Sequence, residues 1–479
     1  MAITNRNLPL LHRKEWQNMT PAPAATVAGA FIVAPDSGNF NNALYVRSAT
    51  EHYIYNHDED GFMQITSGAL AGSFGAGACG VYHPWSINYT ANGGSTTSVT
   101  VAAGTHNITG RAVGQTIEFI SAGTASGFRT TVASIVNNAG AGTITLNLTN
   151  AAPTAILNTY TFRITTGRFY IMNAGTTAAG IFKVFDVATM AWQANLATTN
   201  LPASWGTDGR MVLAYNFGEI FATGTSTGSN TTTTLNNTGK AWTTNQWTNY
   251  QIRISGGLGM GQVRTIASNT GTALTVSSAW TTTPDATSQY TIEANEDYLY
   301  LLGNNAITMY RYSISANTWT VMAPTTARSA APVAGMSANA VGVTGDALWA
   351  NENAILNGRY IYSLRGGGTA IDRFDIAGGT AGAGAWAVVT TINVETFNAG
   401  SSAFPMGEFL YIRKDATNRF FKYSVVDNCM RPLNTNLLPD GAALLGNKIW
   451  VKNMPGTTDT RWLYSLQNTG QFLQRMLLY

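Results

Sequence analysis

Apolar positions in this chain fall in short bursts of about four to eight residues, rich in Val, Ile, Thr, Tyr and Phe and bounded by Gly, Asn, Asp and Ser. That spacing predicts β-strands joined by tight turns. No segment keeps apolar residues at helical spacing for more than about two turns.

The bursts recur in a fixed order. Arg168-Phe169-Tyr170-Ile171-Met172 is followed by Ile181 to Asp186 and then Trp192. The same order returns as Tyr298 to Gly303, Met309 to Ile314 and Trp319, and again as Arg359 to Leu364, Ala370 to Asp375 and Trp386. Weaker copies pair Glu408 to Ile412 with Phe420 to Val425, and Asn447 to Val451 with Arg461 to Leu466. A first copy lies at Ala43 to Val46 with Tyr53 to Tyr55. A sheet built from one such unit cannot bury both faces alone and has to stack on its neighbours. Radial stacking gives a β-propeller, and six units predict six blades, with five to seven as the range.

Glycine-terminated strands, aromatic-rich partners and a following Trp resemble the Kelch type of propeller over residues 28–90, 167–224 and 294–479. The Kelch double glycine occurs clearly at Gly366-Gly367 alone. The expected fold class is therefore all-β, a Kelch-like propeller.

Two Thr-, Ser- and Asn-rich segments, 91–165 and 225–293, interrupt the repeat and resemble each other. Ile120-Ser121-Ala122-Gly123 with Gly127, Thr131, Ala133 and Ser134 aligns without a gap on Ile254-Ser255-Gly256-Gly257 with Gly261, Thr265, Ala267 and Ser268. Both are read as small β-modules inserted in adjacent blades. The strands Gly80 to Tyr89 and Gly218 to Thr223 would pair across their bases with the strands that follow. The expected organisation is an N-terminal arm (1–27), propeller parts at 28–90, 166–224 and 294–479, and modules at 91–165 and 225–293.

Gly259 to Ile266 and Pro284 to Ile292 look like a β-module found in structural proteins of tailed-bacteriophage virions. That resemblance implies a virion component of the tail, neck, baseplate or capsid surface, including decoration proteins, assembled in a host cytoplasm.

Composition is consistent with a permanent assembly. Charged residues are 11% of the 479, against about 25% in ordinary soluble domains. The net charge of +3 gives no electrostatic pull toward nucleic acid, and no apolar stretch is long enough to cross a membrane as a helix. The start of the sequence lacks the pattern of a secretory leader. Cys79 and Cys429 alone do not make a disulfide framework.

Candidate chemistry is sparse. His52, His57, Asp58, Glu59 and Asp60 contain metal-ligating types, but Asp58-Glu59-Asp60-Gly61 reads as a hairpin turn. Gly256 to Gly261 follows a strand and is not followed by a helix, so it reads as a loop and not as a phosphate cradle. No nucleophile elbow with a downstream histidine exists. Few acids remain for glycoside hydrolysis, so no enzyme, cofactor or metal is expected. Leu10, Leu11, Arg13, Lys14 and Trp16 are candidate contacts for an arm docking on a neighbouring virion protein, with a strand closing the propeller as the other reading. Trp242 and Trp247 are candidate partner or host-glycan contacts if exposed, alongside Trp205 and Trp280, with core packing as their other fate.

Overall fold

The computed structural model describes residues 16–25, 30–33, 42–102, 116–328 and 360–478, apart from some stretches inside those ranges. It is all-β: the described residues hold no α-helix, and the 3-10 turn at Gly123–Ala125 is short.

Most strands belong to small antiparallel meanders, here numbered in the order in which they pack. Sheet I holds Phe31–Val33, Ala43–Val46, His52–Asn56 and Gly61–Gln64. Sheet II holds Cys79–His83, Arg168–Met172, Phe182–Asp186 and Ala191–Trp192, and sheet III holds Arg210–Ala214, Tyr298–Leu302, Met309–Ser313 and Thr318–Val321. Sheet IV comprises Tyr360–Leu364, Ile371–Asp375 and Ala385–Val389. Sheet V runs from Ser402–Met406 through Phe409–Arg413 and Phe420–Ser424 to Cys429–Leu433. Sheet VI joins Lys448–Asn453, Arg461–Leu466 and Leu473–Leu478 to Trp16–Asn18 from the other end of the chain.

Alternate residues of each strand serve two different seams, which explains why the apolar bursts are nearly continuous. In sheet I, Phe31, Val33, Leu44 and Val46 pack with Phe169, Ile171 and Phe185 of sheet II. Their neighbours Ile32, Ala43 and Tyr45 pack in a cluster with Tyr464 of sheet VI. Sheet II meets sheet III through Tyr170, Met172 and Val184 against Met211, Leu213 and Leu299. Sheet III meets sheet IV through Tyr298 and Tyr300 against Ile361 and Phe374, and sheet IV meets sheet V through Tyr362 and Ile371 against Leu410 and Ile412. Ser402–Met406 of sheet V lies beside Lys448–Asn453 of sheet VI. The succession of face-packed sheets returns to its start, a propeller-like arrangement.

Two larger sheets differ from this plan. The first six-stranded unit orders its strands Asn88–Thr90, Thr161–Thr165, Thr116–Ser121, Arg129–Asn138, Thr143–Leu148 and Ser98–Ala102. The second orders Ile220–Thr225, Gln289–Glu293, Gln251–Gly256, Val263–Asn269, Ala273–Val276 and Thr234–Asn236. The topology is the same strand for strand. The aligned glycines Gly123 and Gly257, and Gly127 and Gly261, all have positive φ, where a side chain would be strained.

The single strand expected before the first unit, Gly80 to Tyr89, is in fact two: Cys79–His83 pairs with Arg168–Met172 in sheet II, while Asn88–Thr90 pairs separately with Thr161–Thr165 in the first unit. The strand expected before the second unit at Gly218 to Thr223 is Ile220–Thr225, which pairs within that unit, while the separate strand Arg210–Ala214 pairs in sheet III. The first strand of each unit therefore begins upstream of the boundaries read at 91 and 225.

Candidate functional site

The sequence left two readings of the N-terminal stretch, a docking arm and a strand closing the propeller, and at Trp16–Asn18 the structure shows a strand. Trp16, Gln17 and Asn18 pair antiparallel with Met476, Arg475 and Gln474, so this stretch is a sheet strand and not a free arm. As the edge strand of sheet VI, it spends the backbone groups on its inner side on that ladder. The next turn is fastened as well, because the Thr20 N–H donates to both oxygens of Asp60 at 3.1 and 3.0 Å. Leu10, Leu11, Arg13 and Lys14 lie outside the described residues.

Trp242 and Trp247 are 6% and 1% exposed, so neither offers a face to a sugar ring. Each fills the interior of the second unit: Trp247 meets Tyr250 edge-on at 5.2 Å and Trp242 meets Tyr290 at 6.5 Å. Trp280 is buried there too. Trp205 is outside the described residues.

The histidine and acid cluster separates by side. His52 is buried and its Nδ1 accepts the Trp192 indole N–H at 3.2 Å; burial holds its pKa below the ordinary value of 6.5. His57 is buried 4.8 Å from Tyr464, ring to ring. Asp60 sits in the hairpin turn with positive φ and accepts the Tyr55 hydroxyl at 2.7 Å. Gly256 to Gly261 forms the hairpin between two strands of the second unit.

What the sequence did not reveal is a row of buried polar side chains beneath the two units. His83, Arg168 and Asp186 are directly opposed across three strands of sheet II, so their side chains share one face. Arg168 Nε donates to Asp186 Oδ2 at 3.1 Å, with exposures of 1% and 0%. His83 Nε2 lies 3.0 Å from Oδ2 of Asp297, which immediately precedes the Tyr298 strand of sheet III. The row thus ties sheet II to sheet III at the end where both units attach. No local motif could have exposed it, because His83 and Asp297 are 214 residues apart.

The other face of sheet III fastens the second unit. The Arg311 guanidinium stacks 4.7 Å from the Tyr298 ring and 5.5 Å from the Tyr250 ring, and donates to the Tyr250 hydroxyl. Tyr250 belongs to the unit and Arg311 to the sheet, so one cation–π sandwich joins them. Burial holds the Tyr298 and Tyr300 hydroxyls well above the ordinary range. In sheet IV, Arg328 donates to Asp372 at 2.9 Å and to Ser363 at 3.1 Å. Each of these groups is matched by a partner within the fold, an arrangement suited to fixing sheets in place.

The far ends of the units are the exposed counterpart. In the second unit Leu258 and Met260 project from the hairpin, 46% and 70% exposed. Their backbone is pinned: Gln262 Nε2 donates to the carbonyls of Gly259 and Thr282, Gln262 Oε1 accepts from the N–H groups of Thr281 and Thr282, and Ser288 Oγ donates to the Leu258 carbonyl.

No protein-family model and no curated protein matches this chain. Among solved structures, it is similar to a chain of a mitotic checkpoint complex at 9% identity, covering 97% of this chain and 91% of that one with a TM-score of 0.35. It is likewise similar to a luciferin-regenerating enzyme at 9% identity, covering 96% and 94% with a TM-score of 0.34.

Proposed function

We propose that this chain is a non-enzymatic structural subunit of a tailed-phage virion. It is a six-bladed propeller that carries two related β-modules inserted after the first strand of adjacent blades. The observation that supports this reading is the repetition of one six-stranded topology on sheets II and III, anchored below by the His83–Asp297 and Arg311–Tyr250 contacts. A rigid body with two equivalent projections is what a multi-copy particle needs, because many weak contacts of fixed geometry add up to a stable one. Low charge reduces the cost of desolvating such contacts.

A glycan-binding reading loses its named residues once Trp242 and Trp247 are inside the second unit. The scaffold reading is tested by protein mass spectrometry on purified particles from cells that make the chain. Recovery in the particle fraction, in a constant ratio to the other particle proteins, is expected; recovery only as free protein would overturn it.

A further inference from the structure

The two units share a topology but exchange polar and apolar positions at their far ends. In the second unit the hairpin carries Leu258 and Met260, while the neighbouring loop carries Asp285 and Thr287, both exposed. In the first unit the aligned hairpin positions are Thr124 and Ser126, and the exposed apolar residue lies in the loop instead: Leu157, 54% exposed. Charge differs as well: Asp285 stands in the second loop, where the nearby Arg264 is held by the Ala279 carbonyl and the Thr281 hydroxyl. Beside the first hairpin, Arg129 is 65% exposed; its partner Glu118 already accepts from Arg163, which leaves this cluster with a surplus positive charge.

We infer that the far end of the second unit docks on the far end of the first unit of another copy of this chain, hairpin against loop and loop against hairpin. Leu258 and Met260 then cover Leu157, and Asp285 approaches Arg129. The occupant follows from this complementarity of shape class and charge, since each end supplies what the other lacks. The second end is also preorganised: Ser288 Oγ links the Leu258 carbonyl at 2.7 Å to the Asp285 turn, whose N–H it accepts at 2.9 Å, so little side-chain and loop entropy is lost on docking. Because the two surfaces differ, the contact is head-to-tail and builds a ring or an open chain of copies. The inference rests on the scaffold reading above.

The test is sedimentation equilibrium of the full chain over a range of concentrations. Wild-type protein is expected to self-associate. The double variant Leu258→Thr with Met260→Ser, which gives the second unit the residues of the first, should weaken association by about tenfold or more, as should Leu157→Thr. All three positions are exposed, so unchanged circular dichroism is expected. Mixing Leu157→Cys protein with Met260→Cys protein under a mild oxidant should also yield a disulfide-linked dimer that neither variant forms alone. Wild-type protein that stays monomeric, or association that these variants leave unchanged, overturns the inference. A monomer that still enters particles would overturn this contact while leaving the scaffold reading in place.

Discussion

The first six-stranded unit is filled mainly by aliphatic side chains and Phe, among them Val99, Ile117, Phe119, Leu146 and Phe162, with Tyr89 stacked on Phe162. The second places Trp242, Trp247 and Trp280 in the equivalent interior, together with Tyr250 and Tyr290. It also buries amides: the Asn269 side chain accepts the Trp247 backbone N–H at 2.8 Å and donates to the Thr243 carbonyl at 2.9 Å. Asn237 donates to the Tyr290 hydroxyl at 2.8 Å, which burial pushes up to about 12. One topology therefore accepts two kinds of interior. The strand order is set by register and turn glycines, while the filling varies; in the second unit it even leaves the buried indole N–H groups of Trp247 and Trp280 without a hydrogen-bond acceptor among the described residues.

That difference can be broken most sharply at Trp247. Truncation to Ala should cost about 3–5 kcal/mol in urea unfolding of the second unit, because the indole is 1% exposed. A loss under about 1 kcal/mol would mean that its interior is no more committed than an aliphatic one. Next in size is Arg311→Met. Removing the guanidinium between Tyr250 and Tyr298 should cost about 2 kcal/mol and speed proteolysis within the second unit but not the first. Equal cleavage of both would show that the sandwich is not a fastening. The smallest effect is expected in the first unit, where Glu118 accepts from Arg163 at 2.8 Å and Arg129 at 2.9 Å.

Burial works against the Glu118 charge, but the two arginines outweigh it and hold its pKa below the ordinary 4.5. A depressed carboxylate contributes stability above its unfolded pKa and loses it as pH falls through the folded one. Glu118→Gln should therefore cost about 1 kcal/mol at pH 7, and the cost should vanish under acid conditions in which Glu118 is protonated in the folded chain. A penalty that persists there would assign Glu118 a packing role.

Several of these features could be read in advance. The strand triplets, the Trp on the outer strands of sheets II, III and IV, and the duplication of the units follow from local periodicity and from glycines that need positive φ. Trp319 and Trp386 lie on the strands where the repeat put them. Trp242 and Trp247 were open to two readings, core packing and surface contact, since a Thr-rich setting looks the same on either side of a strand until the register is known. The buried polar row was not legible, because Arg168 and Asp186 meet only once their strands are paired. The strand at Trp16–Asn18 was open to two readings for the same reason: its partner lies at the opposite end of the chain.

That partner has a consequence for biosynthesis. Sheet VI lacks its neighbouring strand until Leu473–Leu478 has been made, so residues 16–18 wait for a partner far downstream in the chain. A message cut short before codon 473 would yield a chain in which residues 16–18 have no strand to pair with. Such a product keeps an unpaired edge that invites aggregation or a protease, so the clasp doubles as a check that synthesis ran as far as Leu478.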